Sequence, residues 1–88
     1  MKQNRFRIYT ENKNCEGLQA LVGTFFKGFT IFEAQGFYKG ELEGSLVIEI
    51  IAPIREEIAS DIEFLGSEIC HYNDQERVLI TKEEVEIL

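Results

Sequence analysis

Ile54, Ile58, Ile62, Leu65 and Ile69 advance by 4, 4, 3 and 4 residues, which draws one apolar stripe along an α-helix. Arg55, Glu56, Glu57, Asp61, Glu63 and Glu68 fill the outward positions of the same stretch. Directly before it, ELEGSLVIEIIA is rich in β-branched residues and reads as a strand, with Leu46, Ile48, Ile50 and Ala52 on one face and Ser45, Val47, Glu49 and Ile51 on the other. Only Pro53 separates the two, at a point where a helix can start without needing its N–H. A strand that passes straight into a long amphipathic helix must lay that helix back across its own sheet, and this excludes an all-α or all-β fold.

The first part of the chain repeats this grammar. RFRIYTE alternates, with Phe6 and Ile8 on one side and Arg5, Arg7 and Tyr9 on the other, as in a half-buried strand. ENKN reads as a turn, with Asn14 as N-cap and Glu16 in the first turn of a helix. In CEGLQALVGTFF, Leu18, Leu21, Val22 and Phe25 share one helix face. Gly17 and Gly23 weaken that helix by about 1 kcal/mol each relative to alanine. Gly28 reads as its C-terminal glycine.

FTIFEAQGFY and ELEGSLVIEIIA are then two strands of a hairpin joined through YKGEL, with Gly40 supplying a positive φ. HYNDQE reads as a turn and RVLIT as a last strand, which EEVEIL either extends or leaves to dock elsewhere. The order is β-α-β-β-α-β. With right-handed crossovers this predicts one α+β domain over residues 1–88: a ferredoxin-like βαββαβ fold, with a four-stranded antiparallel sheet and two helices on one face.

Composition narrows the function classes. The net charge of −7 repels phosphate backbones and argues against general nucleic-acid binding. Lys2, Arg5, Arg7 and Lys13 nevertheless gather in the first strand and turn, leaving room for a local anion site. No apolar run is long enough to cross a bilayer, and MKQNRFRIYT lacks the apolar stretch of a signal peptide, so a cytoplasmic protein is the expectation. Cys15, Cys70 and the single His71 have no metal-ligand spacing. Cys70 and His71 would point about 100° apart on a helix, so they form no nucleophile–base pair, and two free thiols are expected. No cofactor or metal is implied.

The sheet face away from the helices should carry Arg5, Arg7 and Tyr9, then Ser45, Val47, Glu49 and Ile51, then Arg77, Leu79 and Thr81. Val47, Ile51 and Leu79 would each gain about 1.5–3 kcal/mol by burial, so the expected cover is a second copy, a homodimer through the open sheet face, with an extra C-terminal strand from EEVEIL as the rival cover. Arg5 or Arg7 can pair with Glu49. Alternatively, Arg5, Arg7, Tyr9, Tyr38 and Glu49 form a polar site for an anionic, nucleotide-like small molecule, the arginines clamping the anion and the tyrosines stacking.

Gly36, Gly40 and Gly44 fall in the hairpin. Gly40 is the turn, and Gly36 and Gly44 either face each other or mark bulges. They form no phosphate loop. Gly28-Phe29-Thr30, Gly36-Phe37-Tyr38 and Glu43-Gly44-Ser45 before Leu46-Val47-Ile48 resemble the central hairpin of small uncharacterised ferredoxin-like proteins of bacteria and phages. Those proteins have a G-x-T start, a G-x-aromatic step, usually tryptophan where Tyr38 stands, and an E-x-S lead into the third strand. The resemblance implies the fold and pairing by the sheet face, and it transfers no catalytic residue.

Two non-catalytic readings lead. One is a homo-oligomeric binding protein that senses or sequesters a nucleotide-like molecule, a phage anti-defence sponge being one version. The other is an acidic module whose Glu56, Glu57, Asp61, Glu63 and Glu68 dock on a basic partner protein. Glu33, Glu43, Glu49, Tyr9, Tyr38 and His71 are the candidates for acid–base chemistry, but no spacing among them is specific to a catalyst.

Overall fold

The computed structural model describes all residues from Met1 to Leu88. The elements run β1 (Lys2–Glu11), α1 (Cys15–Phe25), β2 (Thr30–Tyr38), β3 (Glu41–Ala52), α2 (Glu56–Asn73) and β4 (Leu79–Glu86). The strands pair in the order β2-β3-β1-β4, all antiparallel. This is the βαββαβ fold that the sequence predicts, with β1 and β3 at the centre.

Phe6 and Ile8 of β1 and Leu46, Ile48, Ile50 and Ala52 of β3 point to the helix side and form the core with Leu18 and Val22 of α1 and Ile62, Leu65 and Ile69 of α2. Phe25 and Phe64 join the helices with ring centroids 5.8 Å apart. Gly66 makes room where α2 crosses the sheet. A Cβ there would lie 2.8 Å from Ile80 Cδ1 and 3.3 Å from Val78 Cγ2.

The hairpin turns on two residues. Tyr38 pairs with Glu41, and Lys39 and Gly40 have φ of 52° and 81°, the left-handed pair that matches strand twist. Gly36 and Gly44 do not face each other. Gly36 is in register with Glu43, and Gly44 with Gln35, so they lie on opposite faces of an unbroken ladder and mark no bulge.

Several local expectations are corrected. Asn14 sits at the N-cap position of α1 but in left-handed backbone, with no capping bond from its side chain. Its Nδ2 donates instead to Asn73 Oδ1 at 3.1 Å. Gly28 does not cap α1, which ends at Phe25 with extended Phe26. Pro53 does not begin α2. The helix starts at Glu56, and Ile54 lies outside it, 52% exposed. At its other end α2 runs through His71 and Tyr72 to Asn73, into the first half of the expected turn. Left-handed Asp74 closes it with Asp74 N–H donating to His71 O and Gln75 N–H to Cys70 O.

β4 begins at Leu79, so Arg77 precedes it, and the strand extends through Glu86. The charged run KEEVE is compatible with a strand because β4 is an edge with one side and its outer rim in water. Beyond the ladder, Met1 and Ile87 exchange hydrogen bonds, Ile87 N–H to Met1 O at 2.8 Å and the Met1 ammonium to Ile87 O at 3.2 Å. No helix is long and apolar enough to cross a membrane.

Candidate ligand site on the uncovered sheet face

Strand alternation brings Arg5, Arg7 and Tyr9 to the face away from the helices, each about 6.7 Å from the next along β1. Because β1 is central, each meets a partner on either side. Arg5 lies between Ile51 and Glu83, Arg7 between Glu49 and Thr81, and Tyr9 between Val47 and Leu79. Arg7 Nη2 lies 3.5 Å from Glu49 Oε2, and Arg5 is ion-paired with Glu83. The first pair is the more enclosed: the Glu49 side chain keeps 20% of its exposure, the Glu83 side chain 56%. Arg7 Nε is buried and has no hydrogen-bond partner.

These residues line a groove of about 200 Å³ formed by Arg5, Arg7, Tyr9, Thr81, Lys82 and Glu83. Arg5 and Arg7 thus share one groove of an acidic protein; Lys82 borders it but stands in register with Phe6, so its side chain belongs to the helix-side face. Whether EEVEIL extends the last strand was open from the sequence; the alternation of Thr81, Glu83 and Val85 with Lys82 and Glu84 is the signal that extends it, and it brings Glu83 beside Arg5.

Tyr9 also belongs to a second, larger cavity of about 380 Å³ at the end of the sheet. Its walls come from all four strands and one loop: Tyr9 to Glu11, Gly36 to Tyr38, Glu43 to Ser45, and Gln75, Arg77 and Leu79. Tyr38 lines the same cavity as Tyr9 but stands level with Glu41, about 20 Å along β3 from the Val47 level of Tyr9, while Glu49 sits with Arg7. The expected ligand residues share one face but divide between two adjoining cavities.

The cavity floor is tied down by a polar network at the α2–β4 loop. Gln75 Oε1 accepts from Thr10 Oγ1 at 2.7 Å and from Asn73 Nδ2 at 3.0 Å, and Gln75 Nε2 donates to Arg77 O at 2.9 Å. Lys13 Nζ donates to Asn73 O at 3.2 Å. Thr10 and Asn73 are buried, so every member of this network needs its partner. The network was not legible beforehand, because it joins three loops and strand ends far apart in sequence.

Of the apolar residues expected to call for a partner, Ile51 is 45% and Leu79 61% exposed, whereas Val47 is 3% exposed within the single chain, in register between Tyr9 and Phe32. Phe32, at 40%, adds to the open apolar surface. Among the acid–base candidates, Tyr9, Tyr38, Glu43 and Glu49 share the uncovered face by register. Glu33 lies opposite Leu46 on the other side, and His71 is exposed on α2. Cys15 and Cys70 are free thiols. No group of three or more His, Cys, Asp or Glu residues is placed to hold a metal.

No protein-family model and no curated protein sequence matches the chain. Solved structures do. CPII, a nitrogen regulatory PII-like protein from Thiomonas intermedia K12 bound to ADP, AMP and bicarbonate, is 16% identical with a TM-score of 0.69, the match covering 99% of this chain and 93% of that one. What it shares with this chain is the ferredoxin-like βαββαβ fold. A putative PII-like signaling protein from Thermus thermophilus is 24% identical, TM-score 0.65, over 100% of this chain and 90% of that one. A phage SAM lyase in complex with S-methyl-5′-thioadenosine is 18% identical, TM-score 0.75, over 93% and 81%. The structural neighbours are thus small bacterial and phage proteins, in agreement at the level of fold with the resemblance of the central hairpin.

Proposed function

We propose that this chain is a small homo-oligomeric protein that binds an anionic, adenosine-containing small molecule on its uncovered sheet face and senses or sequesters it. The observation that carries the reading is the groove in which Arg5 and Arg7 lie side by side next to Tyr9, against a net charge of −7. An anion that displaces Glu49 or Glu83 would be held by charge-assisted hydrogen bonds, and the guanidinium fork suits phosphate. The likeness to CPII, bound to ADP and AMP, and to a phage lyase, bound to S-methyl-5′-thioadenosine, supports an adenosine moiety in particular. A phage anti-defence sponge for nucleotide signals is one form of this function. Ile51 and Leu79, with Val47 behind them, are the proposed contact for a second copy, which would bring two such grooves together.

The test is a melting-temperature panel of nucleotides, cyclic nucleotides and adenosine-diphosphate-ribose analogues. A bound ligand at a hundredfold excess over Kd adds about 2.7 kcal/mol of stability. Arg7→Ala should remove the gain. A panel with no shift for the parent protein sinks the proposal.

One observation favours a second reading, turnover of an S-adenosylmethionine-like substrate: the TM-score of 0.75 to the phage lyase. Tyr38 and Glu49, both on the uncovered face by register, are then the groups to question. S-adenosylmethionine consumed by the parent and spared by Glu49→Gln would support it. Unchanged substrate would dismiss it.

A further inference from the structure

Glu57, Asp61, Phe64, Glu68 and Tyr72 advance by 4, 3, 4 and 4 residues, a second line along α2 beside its buried stripe. Two contacts turn this line toward α1. The Phe64 ring lies 5.8 Å from that of Phe25, and a Cβ at Gly17 would collide with the Tyr72 ring and hydroxyl. The line nevertheless stays open to solvent, with Phe64 55% and Tyr72 50% exposed. On α1, Ala20 and Thr24 form the exposed rim next to Gly17 and Leu21. Both are small, and the Thr24 hydroxyl donates to Leu21 O at 2.7 Å. The seam between the helices thus has one low, uncharged wall and one wall of acids and aromatics.

Charge is concentrated on the same layer. Glu16, Glu56, Glu57, Asp61, Glu63 and Glu68 are the six acidic residues of α1 and α2, which carry no lysine or arginine. The other ten acids are set against all nine lysines and arginines, so six of the seven net negative charges belong to the helices. None of the six is ion-paired. Solubility accounts for the acids but gains nothing from two rings left half exposed among them.

We propose that the seam between α1 and α2 docks a basic amphipathic helix of a partner protein. Aromatic side chains are the common anchors of such contacts, and Phe64 and Tyr72 stand about 12 Å apart, the spacing of residues i and i+8 on a facing helix. The low wall of Ala20 and Thr24 lets that helix approach closely. Glu57, Asp61 and Glu68 lie on the same line as the anchors and meet lysines or arginines on its flanks. The field of the helix layer speeds encounter with a cation-rich partner and repels nucleic acid, anionic membranes and the same face of a second copy. The surface lies across the sheet from Arg5 and Arg7, so it does not depend on the nucleotide reading and can be filled at the same time.

The test uses two synthetic lysine-rich helices of one composition, about 18 residues long, with leucines on one face in the first and distributed around the helix in the second. Fluorescence anisotropy reads their binding to the full chain. The parent should bind the amphipathic peptide at least tenfold more tightly than the scrambled one. Phe64→Ala and Tyr72→Ala should each weaken it by tenfold or more, about 1.4 kcal/mol or more. Glu57, Asp61 and Glu68 changed together to Gln should weaken it too and flatten its dependence on salt. Melting temperature and light scattering check fold and mass. Ala20→Arg, at an exposed position on the other wall, repeats the aromatic arm by bulk and charge should Phe64→Ala fail to fold. Equal binding of the two peptides, or no binding of either, overturns the proposal. So does binding that survives both Tyr72→Ala and Ala20→Arg, which leaves only a solvated acidic face. A mass that falls on Phe64→Ala assigns the seam to a second copy and overturns the proposal as well.

Discussion

Arg7 is held 3.5 Å from Glu49 across the β1–β3 ladder while its own Nε stays buried without a partner. The pair neutralises charge at the centre of the sheet but leaves one donor of the guanidinium unused. Such an arginine is restrained rather than satisfied, and an incoming anion competes with Glu49 for it.

Glu49→Gln should therefore tighten binding of AMP severalfold, because the competing carboxylate is gone while the side-chain shape remains. Fold stability should fall by no more than about 1 kcal/mol, since the pair is only partly enclosed. Calorimetric titration and urea unfolding of the same sample check both. Weaker AMP binding would mean that Glu49 positions Arg7 instead of competing for it.

Asn73→Ala should cost about 2 kcal/mol. Its side chain accepts from Asn14 and donates to Gln75, and the site is buried, so truncation strands two amides away from water. Urea unfolding gives the value. In a double-mutant cycle with Thr10→Val the losses should be less than additive, because both changes break bonds to Gln75 Oε1.

Gly66→Val should destabilise by about 1–3 kcal/mol through overpacking against Ile80 and Val78. A midpoint shift in urea at constant slope is the expected readout. A neutral result would mean that β4 slides away from α2 easily.

Ile51→Glu and Leu79→Glu place charges on the open apolar surface at positions already 45% and 61% exposed, so each monomer should fold normally. Light scattering should report a larger mass for the parent than for either variant. Equal masses throughout would dismiss pairing by the sheet face. Val47 is the wrong probe, since it is buried within one chain and its substitution would unfold the protein.

The elements whose pattern is carried by neighbours in sequence were legible. The isoleucine stripe of α2, the alternation of β1 and β3 and the Lys39-Gly40 turn each state their conformation locally. What was lost depended on contacts from elsewhere. Asn14 looks like a cap, yet its side chain is claimed by Asn73 across the fold. Val47 looks like a residue in need of a partner, yet one chain buries it. Of the site, Arg5, Arg7 and Tyr9 were readable from one alternating strand. Glu83, the partner of Arg5, depended on how far an edge strand continues, and Gln75 on a loop that only the folded helix delivers.

The reciprocal hydrogen bonds between Met1 and Ile87 tie the first residue to the end of β4. The two ends of the chain lie side by side, so a short linker could join them and the backbone could be reopened at Lys39-Gly40. In such a circular permutant β2 and β3 would become the terminal strands, while the central pair β1 and β3, with Arg7 and Glu49, would keep its neighbours. The site belongs to the sheet's spatial order and is indifferent to where translation begins.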